Sequence, residues 1–176
     1  PTMGGAGCAS ESPPRYEIDT ELQMAEEELL AQLPGCVAAL AGSEPATRAV
    51  IAKAAPAGLK VIARAGVGYD AIDLLAATEH GVAVTFAPGT NQDSVAEHTF
   101  TLILALARHL VPQHNSIRVG QWPRRTNLPL RGTTIGIVGL GRIGTSVARV
   151  AQGFLMNVVA YEPYPDKDFV EKHGIK

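Results

Sequence analysis

The stretch TTIGIVGLGRIGTSVARVAQGFLMNVVAYE, Thr133 to Glu162, decides how this chain folds. Thr133–Val138 is β-branched and apolar and reads as a strand. Gly139, Gly141 and Gly144 then fall in a G-x-G-x-x-G pattern. Arg142–Gly153 carries apolar residues at Ile143, Val147, Val150 and Phe154, the spacing of a helix face. Met156–Tyr161 is a second apolar run, and an acid, Glu162, follows it. Strand, helix and strand in this order predict a β-α-β unit with a right-handed crossover.

Each glycine has a physical task in such a unit. Gly139 permits a tight turn, Gly141 leaves the backbone open to a pyrophosphate, and Gly144 lets the helix pack against the strand. The helix start offers N–H groups and the positive end of its dipole to phosphates, with Arg142 and Ile143 in its first turn. Glu162 lies 18 residues beyond Gly144. A carboxylate there accepts hydrogen bonds from ribose hydroxyls and repels a 2′-phosphate, so the expected cofactor is NAD rather than NADP.

Upstream, helix and strand signals alternate again. The expected elements are helix 25–33, strand 36–40, helix 45–55 with Pro45 in its first turn, and strand 59–65. Asp70 is expected to cap the next helix, Gly81 to close it, and 82–85 to form a further strand. Such alternation predicts a parallel sheet covered by helices. Arg64-Ala65-Gly66-Val67-Gly68-Tyr69-Asp70 joins a strand to a helix, where successive N–H groups can form an anion-binding concavity. A carboxylate grip and an ordinary tight turn are equally compatible with that segment alone. Between the two halves, Ser94-Val95-Ala96-Glu97 has the form of a capping box. The helix it would open is expected to reach Leu110, with Pro112 ending it and 112–130 irregular. Val95, Leu102, Leu106 and Leu110 share one stripe, and Phe100 and Leu104 another, which predicts a helix buried on more than one side. Its most apolar part, 99–107, falls short of the ~20 residues of a membrane span and is expected to be a buried core helix.

Composition excludes several classes. Hydrophobic residues at 46% and charged residues at 18% describe a globular chain. Fifteen basic against seventeen acidic residues leave no basic excess for nucleic acid. Aromatics at 5% are too few for base-stacking platforms. Cys8 and Cys36 make neither a disulfide framework nor a zinc site, in keeping with a reducing cytoplasm. Residues 1–15 carry no secretory signal and are expected to be poorly ordered. The chain starts at Pro1 and stops where Gly174-Ile175-Lys176 looks like the onset of a strand; both ends read as cuts, and a fragment is expected.

Three segments in order, LKVIARAGVGYDAID (59–73), NQDSVAEH (91–98) and LRGTTIGIVGLGRIG (130–144), resemble the D-isomer-specific 2-hydroxyacid dehydrogenase family, as does Glu162-Pro163-Tyr164. The resemblance implies an α/β protein: a flavodoxin-like substrate domain over 1–87, then the first part of a Rossmann NAD-binding domain over 88–176. It implies a cytoplasmic oxidoreductase acting on the CH–OH group of a small D-2-hydroxyacid, or on the matching 2-oxoacid, and a homodimer without nucleic-acid or membrane partners. Cofactor contacts fall to Gly139, Gly141, Arg142, Ile143, Gly144 and Glu162, the last in place of the family's more usual aspartate. Substrate contacts fall to Val67, Gly68 and Asn91. The family's catalytic arginine, glutamate and histidine lie later than Lys176, so no catalytic residue is assigned, no metal is expected, and the 176-residue chain alone is expected to be inactive. His80, His98, His109, His114 and His173 read as surface or capping residues, and Arg64, Arg108 and Arg118 as structural or surface charges. A non-catalytic NAD-sensing or corepressor-like module is the alternative. A methyltransferase fits less well, because of the third glycine of the turn and the upstream 66–70 loop.

Overall fold

The computed structural model describes residues 24–176; the expectations for 1–15 and for Cys8 lie outside the described residues. The described chain forms two compact units that meet in sequence between Thr90 and Asn91. Hydrogen bonds from Ala87 N to Gly66 O (2.9 Å) and from Thr90 Oγ1 to Ala87 O (2.9 Å) tie the 87–90 turn to the first unit.

The first unit runs α1 (Glu26–Gln32), β1 (Ala38–Ala41), α2 (Arg48–Ala54), β2 (Val61–Arg64), α3 (Leu74–Glu79) and β3 (Ala83–Thr85). Its strands are parallel in the order β1-β2-β3, with Ala39 opposite Ile62 and Ile62 opposite Val84. Ile51, Leu59, Ile62 and Val50 are its most deeply buried large side chains. Burying such side chains contributes roughly 1.5–3 kcal/mol apiece.

Two helix starts differ from the sequence reading. Pro45 stands outside α2, which begins after Thr47; the Thr47 hydroxyl accepts from Val50 N (3.4 Å) and donates to Glu26 on α1 (2.7 Å). Asp73, not Asp70, caps α3, accepting from Ala76 N at 2.8 Å. The cause is a parallel bridge between Ala46 and Ile72, which keeps the chain extended for two residues after the turn at Asp70. Arg48 pairs with Glu79 across α2 and α3 and holds its carboxyl below the ordinary range by hydrogen bond and charge. The pair therefore stabilises above the ordinary glutamate pKa and fades as acid protonates Glu79. Both side chains lie on the surface in contact with solvent, so the contribution is small.

The second unit runs α4 (Gln92–Ala107), α5 (Leu110–Arg118), β4 (Thr134–Val138), α6 (Arg142–Gly153), β5 (Asn157–Tyr161) and α7 (Lys167–Lys172). β4 and β5 are parallel, with Ile137 opposite Ala160. Lys176 N donates to Val158 O (3.2 Å) and Ala160 N to Lys176 O (2.7 Å), so the end of the chain pairs along β5. With β4 against the other edge of β5, the spatial order is that of strands three, two and one of a Rossmann sheet.

Three readings of this half are corrected. The capping box at Ser94 is absent, because α4 starts earlier, after Asn91, and Ser94 lies exposed inside its first turn. Pro112 does not end a helix: His109 turns left-handed (φ 50°), and Pro112 sits in the first turn of α5, where a missing N–H costs nothing. Helix 99–107 is not a buried core helix either. Only Ala96 and Phe100 of α4 are buried, while Leu102 and Leu106 are 53% and 78% exposed. The face of α6 that packs joins most of the large-residue stripe to small residues: Val147 is in the core, Val150 packs against it and Phe154 stacks on Phe100. Gly144, Ser146, Val147, Ala148 and Ala151 are buried, whereas Ile143 is 45% exposed. Small residues on α6 and Ala96 on α4 allow the two helices to approach closely. The Phe100 and Phe154 rings stack beside them at 5.2 Å between centroids.

Ser146 Oγ donates to Asp93 Oδ1 at 2.7 Å and fastens α6 to the first turn of α4. Hydrogen bonds to charged partners carry more than neutral ones. Ser146→Ala is expected to cost about 1–2 kcal/mol in urea unfolding of the protein, and Asp93→Asn less, since an amide oxygen still accepts.

Candidate functional site

The loop between β4 and α6 is built as its glycines require. Gly139 has φ 95°, a left-handed conformation that disfavours any side chain. Its N–H donates to Tyr161 O at 2.8 Å, and Leu140 N donates to Glu162 Oε2 at 2.9 Å. These bonds draw the turn against the carboxyl end of β5. A side chain at Gly141 would meet nothing within 4 Å, so this backbone faces open space. A Cβ at Gly144 would lie 2.0 Å from Gly139 O, an overlap that only glycine avoids.

Gly141 is the N-cap of α6 and has no side chain to close the helix end. The first intrahelical bond runs from Thr145 N to Gly141 O at 2.9 Å. The N–H groups of Arg142, Ile143 and Gly144 therefore have no acceptor within the helix. Arg142 is exposed at the same end. An open backbone, three N–H groups and a helix dipole make a place that suits phosphate oxygens.

Glu162 closes the site from β5. Its Oε2 accepts from Leu140 N, and its Oε1 accepts from Tyr164 N at 3.1 Å. Each carboxylate oxygen has two lone-pair directions, so acceptor capacity remains for hydroxyl groups. The structure thus brings Gly139, Gly141, Arg142, Ile143, Gly144 and Glu162 to one turn at the carboxyl ends of two parallel strands, the edge where open α/β sheets bind ligands.

In the first unit, Val67 is half-buried and Gly68 exposed, in the loop after β2. Among the described residues, neither N–H has a hydrogen-bond acceptor. The Tyr69 and Phe86 rings meet edge to face at 5.3 Å beside this loop, both partly exposed. Asn91 is the N-cap of α4, and its side chain makes no capping bond. Arg64, read from sequence as a surface or structural charge without a convergent partner, has two: its guanidinium donates to Gly68 O and Ala65 O, both at 2.7 Å. An arginine directly before a glycine loop was the available signal. His80 and His173 are helix C-caps, and the His173 ring packs on Phe169 and bonds Gln152. Among the described residues, no cluster of histidine, cysteine or acid is arranged to hold a metal. No described helix is long and apolar enough to cross a membrane.

Comparison with known proteins agrees with this geometry. Residues 7–168 match the family described as D-isomer specific 2-hydroxyacid dehydrogenase, catalytic domain. The D-3-phosphoglycerate dehydrogenase of Archaeoglobus fulgidus is 41% identical over 162 residues, which are 91% of this chain and 31% of that protein. The chain therefore spans about a third of that relative's length. Among solved structures, the pyruvate reductase of Chlamydomonas reinhardtii superposes with a TM-score of 0.78 at 34% identity, over 88% of this chain and 46% of that one. The D-lactate dehydrogenase of Aquifex aeolicus, solved with NAD and lactic acid, gives 0.75 at 27% identity, over 93% and 49%. The first unit is accordingly flavodoxin-like and the second is the opening part of a Rossmann fold, and the chain belongs to the D-isomer-specific 2-hydroxyacid dehydrogenase family.

Proposed function

We propose that this chain is the cofactor- and acid-binding part of an NAD-dependent D-2-hydroxyacid dehydrogenase of phosphoglycerate dehydrogenase type. The observation that carries the reading is the Gly139–Gly144 turn, open at Gly141 and fastened to Glu162 at the carboxyl end of β5. Gly141, Arg142, Ile143 and Gly144 would hold the pyrophosphate on their N–H groups, and Glu162 the adenosine ribose. When bound, the nicotinamide supplies the hydride exchange with C2 of the acid. The chain's own residues bind and orient. Val67 and Gly68 would offer N–H groups to the substrate carboxylate, and the Asn91 amide, not used as a helix cap, is available to the substrate. In functional terms the substrate domain corresponds to 1–87 and the NAD domain to 88–176. Proton transfer and polarisation of the substrate are assigned to no residue here. The exposed leucines of α4 support a homodimeric assembly of the whole protein through that helix.

Glu162 makes the reading testable. Its carboxylate would stand against the extra phosphate of NADPH, and like charges brought together cost several kcal/mol. The whole protein is expected to bind NADH roughly tenfold or more tighter than NADPH in a fluorescence titration. Tighter binding of NADPH overturns the assignment of Glu162. Turnover of a panel of small 2-oxoacids with NADH then defines the acid.

A further inference from the structure

The loop proposed to grip the carboxylate is held from one side by a single residue. Arg64, the last residue of β2, turns its guanidinium back on the chain that follows it. Nε donates to Gly68 O and Nη1 to Ala65 O, each at 2.7 Å. One planar fork therefore clasps both ends of the segment Ala65–Gly68, a task for which a lysine has the wrong shape. Gly66 leaves the room: a Cβ there would lie 2.6 Å from Nη1. The remaining bonds of the loop complete the pattern. Ala65 N donates to Ala41 O (2.8 Å), Gly66 N to Arg64 O (2.9 Å), and Ala87 N to Gly66 O (2.9 Å). So the carbonyls of Ala65, Gly66 and Gly68 all have donors. Among the described residues, the N–H groups of Val67 and Gly68 have no acceptor.

We infer that Arg64 is a positioning residue for carboxylate binding. It draws the carbonyl oxygens of Ala65 and Gly68 to itself and leaves the N–H groups of Val67 and Gly68 as the loop's unused donors. Carbonyl oxygens facing the same side would repel an anion, and the guanidinium charge offsets them. A carboxylate then meets two fixed donors in a cationic field, without the cost of ordering the loop. The inference deepens the reading of Val67 and Gly68 as a carboxylate grip and rests on it.

The test uses nuclear magnetic resonance on the whole chain, with Arg64→Ala and Arg64→Lys variants and pyruvate as the probe. In the unliganded protein, Val67 and Gly68 are expected to be as rigid as β2, with order parameters of about 0.85, and to fall below about 0.6 in Arg64→Ala. The β2 amides serve as the folding control. Pyruvate is expected to shift the Val67 and Gly68 amides in the wild type and to bind about tenfold more weakly to Arg64→Ala. Arg64→Lys keeps the charge but not the fork and is expected to recover only a minor part of order and affinity; should the alanine variant not fold, this comparison decides. An Arg64→Ala loop as rigid and as tight-binding as wild type overturns the inference. Full recovery by lysine also overturns it, because charge alone would then suffice. If the loop loosens on losing Arg64 but pyruvate never shifts Val67 or Gly68, the clasp stands and the carboxylate-grip reading falls.

Discussion

Gly144→Ala is expected to unfold the second unit or to destabilise it by about 4 kcal/mol or more, far beyond an ordinary glycine-to-alanine change in a helix. In an unstrained helix, alanine is the better residue by roughly 1 kcal/mol. Here the added methyl would lie 2.0 Å from the carbonyl oxygen of Gly139 and 3.1 Å from its carbon. Those atoms are backbone and cannot rotate away. Gly139 is itself held by its N–H on Tyr161 O, and the next residue by its N–H on Glu162. Relief would require α6 to withdraw from β4, which would open the contacts of Val147, Ala148 and Ala151 with the rest of their core. Gly153 supplies the control on the same helix. A Cβ there meets nothing within 4 Å, so Gly153→Ala is expected to leave stability unchanged or slightly raised. Urea unfolding of both variants beside the wild type decides the matter. A Gly144→Ala protein of wild-type stability would mean that the turn does not hold strand and helix this tightly.

Elements with a strong period and a glycine boundary were readable from sequence. The span expected for α6, 142–153, is the span observed, because glycines bracket it and the apolar spacing is regular. Which side of that helix packs was less readable. The large-residue stripe does mark the packed side through Val147 and Val150, but close approach of two helices also selects small residues, and Ala148 and Ala151 are the most deeply buried side chains of α6. Caps failed for a related reason. Asp70, Ser94 and Pro45 have suitable chemistry, yet the start of a helix is also set by distant partners. The bridge of Ala46 to Ile72 moved the cap of α3 to Asp73, and nothing local encodes that pairing. The candidate site divides in the same way. Its glycines and Glu162 are legible because they are close in sequence and carry backbone-level requirements. Arg64 was less so: its place directly before the glycine loop is a signal, but its partners are carbonyls, which every residue has. The exposed leucines of α4 show the limit of reading burial from hydrophobicity: a stripe marks a face that seeks cover without stating what covers it.

Gly141→Val is expected to do the opposite of Gly144→Ala: leave the fold intact and abolish cofactor binding. Gly141 has φ −74° and ψ −160°, an extended conformation that valine adopts readily. Its Cβ would meet no atom within 4 Å, so the unliganded protein has room for the side chain. That room is where a pyrophosphate would approach the N–H groups of Arg142 and Ile143. Two methyl groups there would hold the phosphates beyond hydrogen-bond reach of the helix start, where an N···O distance of about 3 Å is needed. Loss of two or three charge-assisted bonds corresponds to an affinity drop of about a hundredfold or more. NADH fluorescence titration measures it, with circular dichroism and urea unfolding as controls for the fold. The two glycines lie three residues apart in one turn, but one is needed for packing and the other for a ligand. The reading of this turn as a phosphate cradle requires their variants to separate, Gly144→Ala losing stability and Gly141→Val losing only NADH. A Gly141→Val protein that is folded and still binds NADH at wild-type affinity would place the phosphates elsewhere.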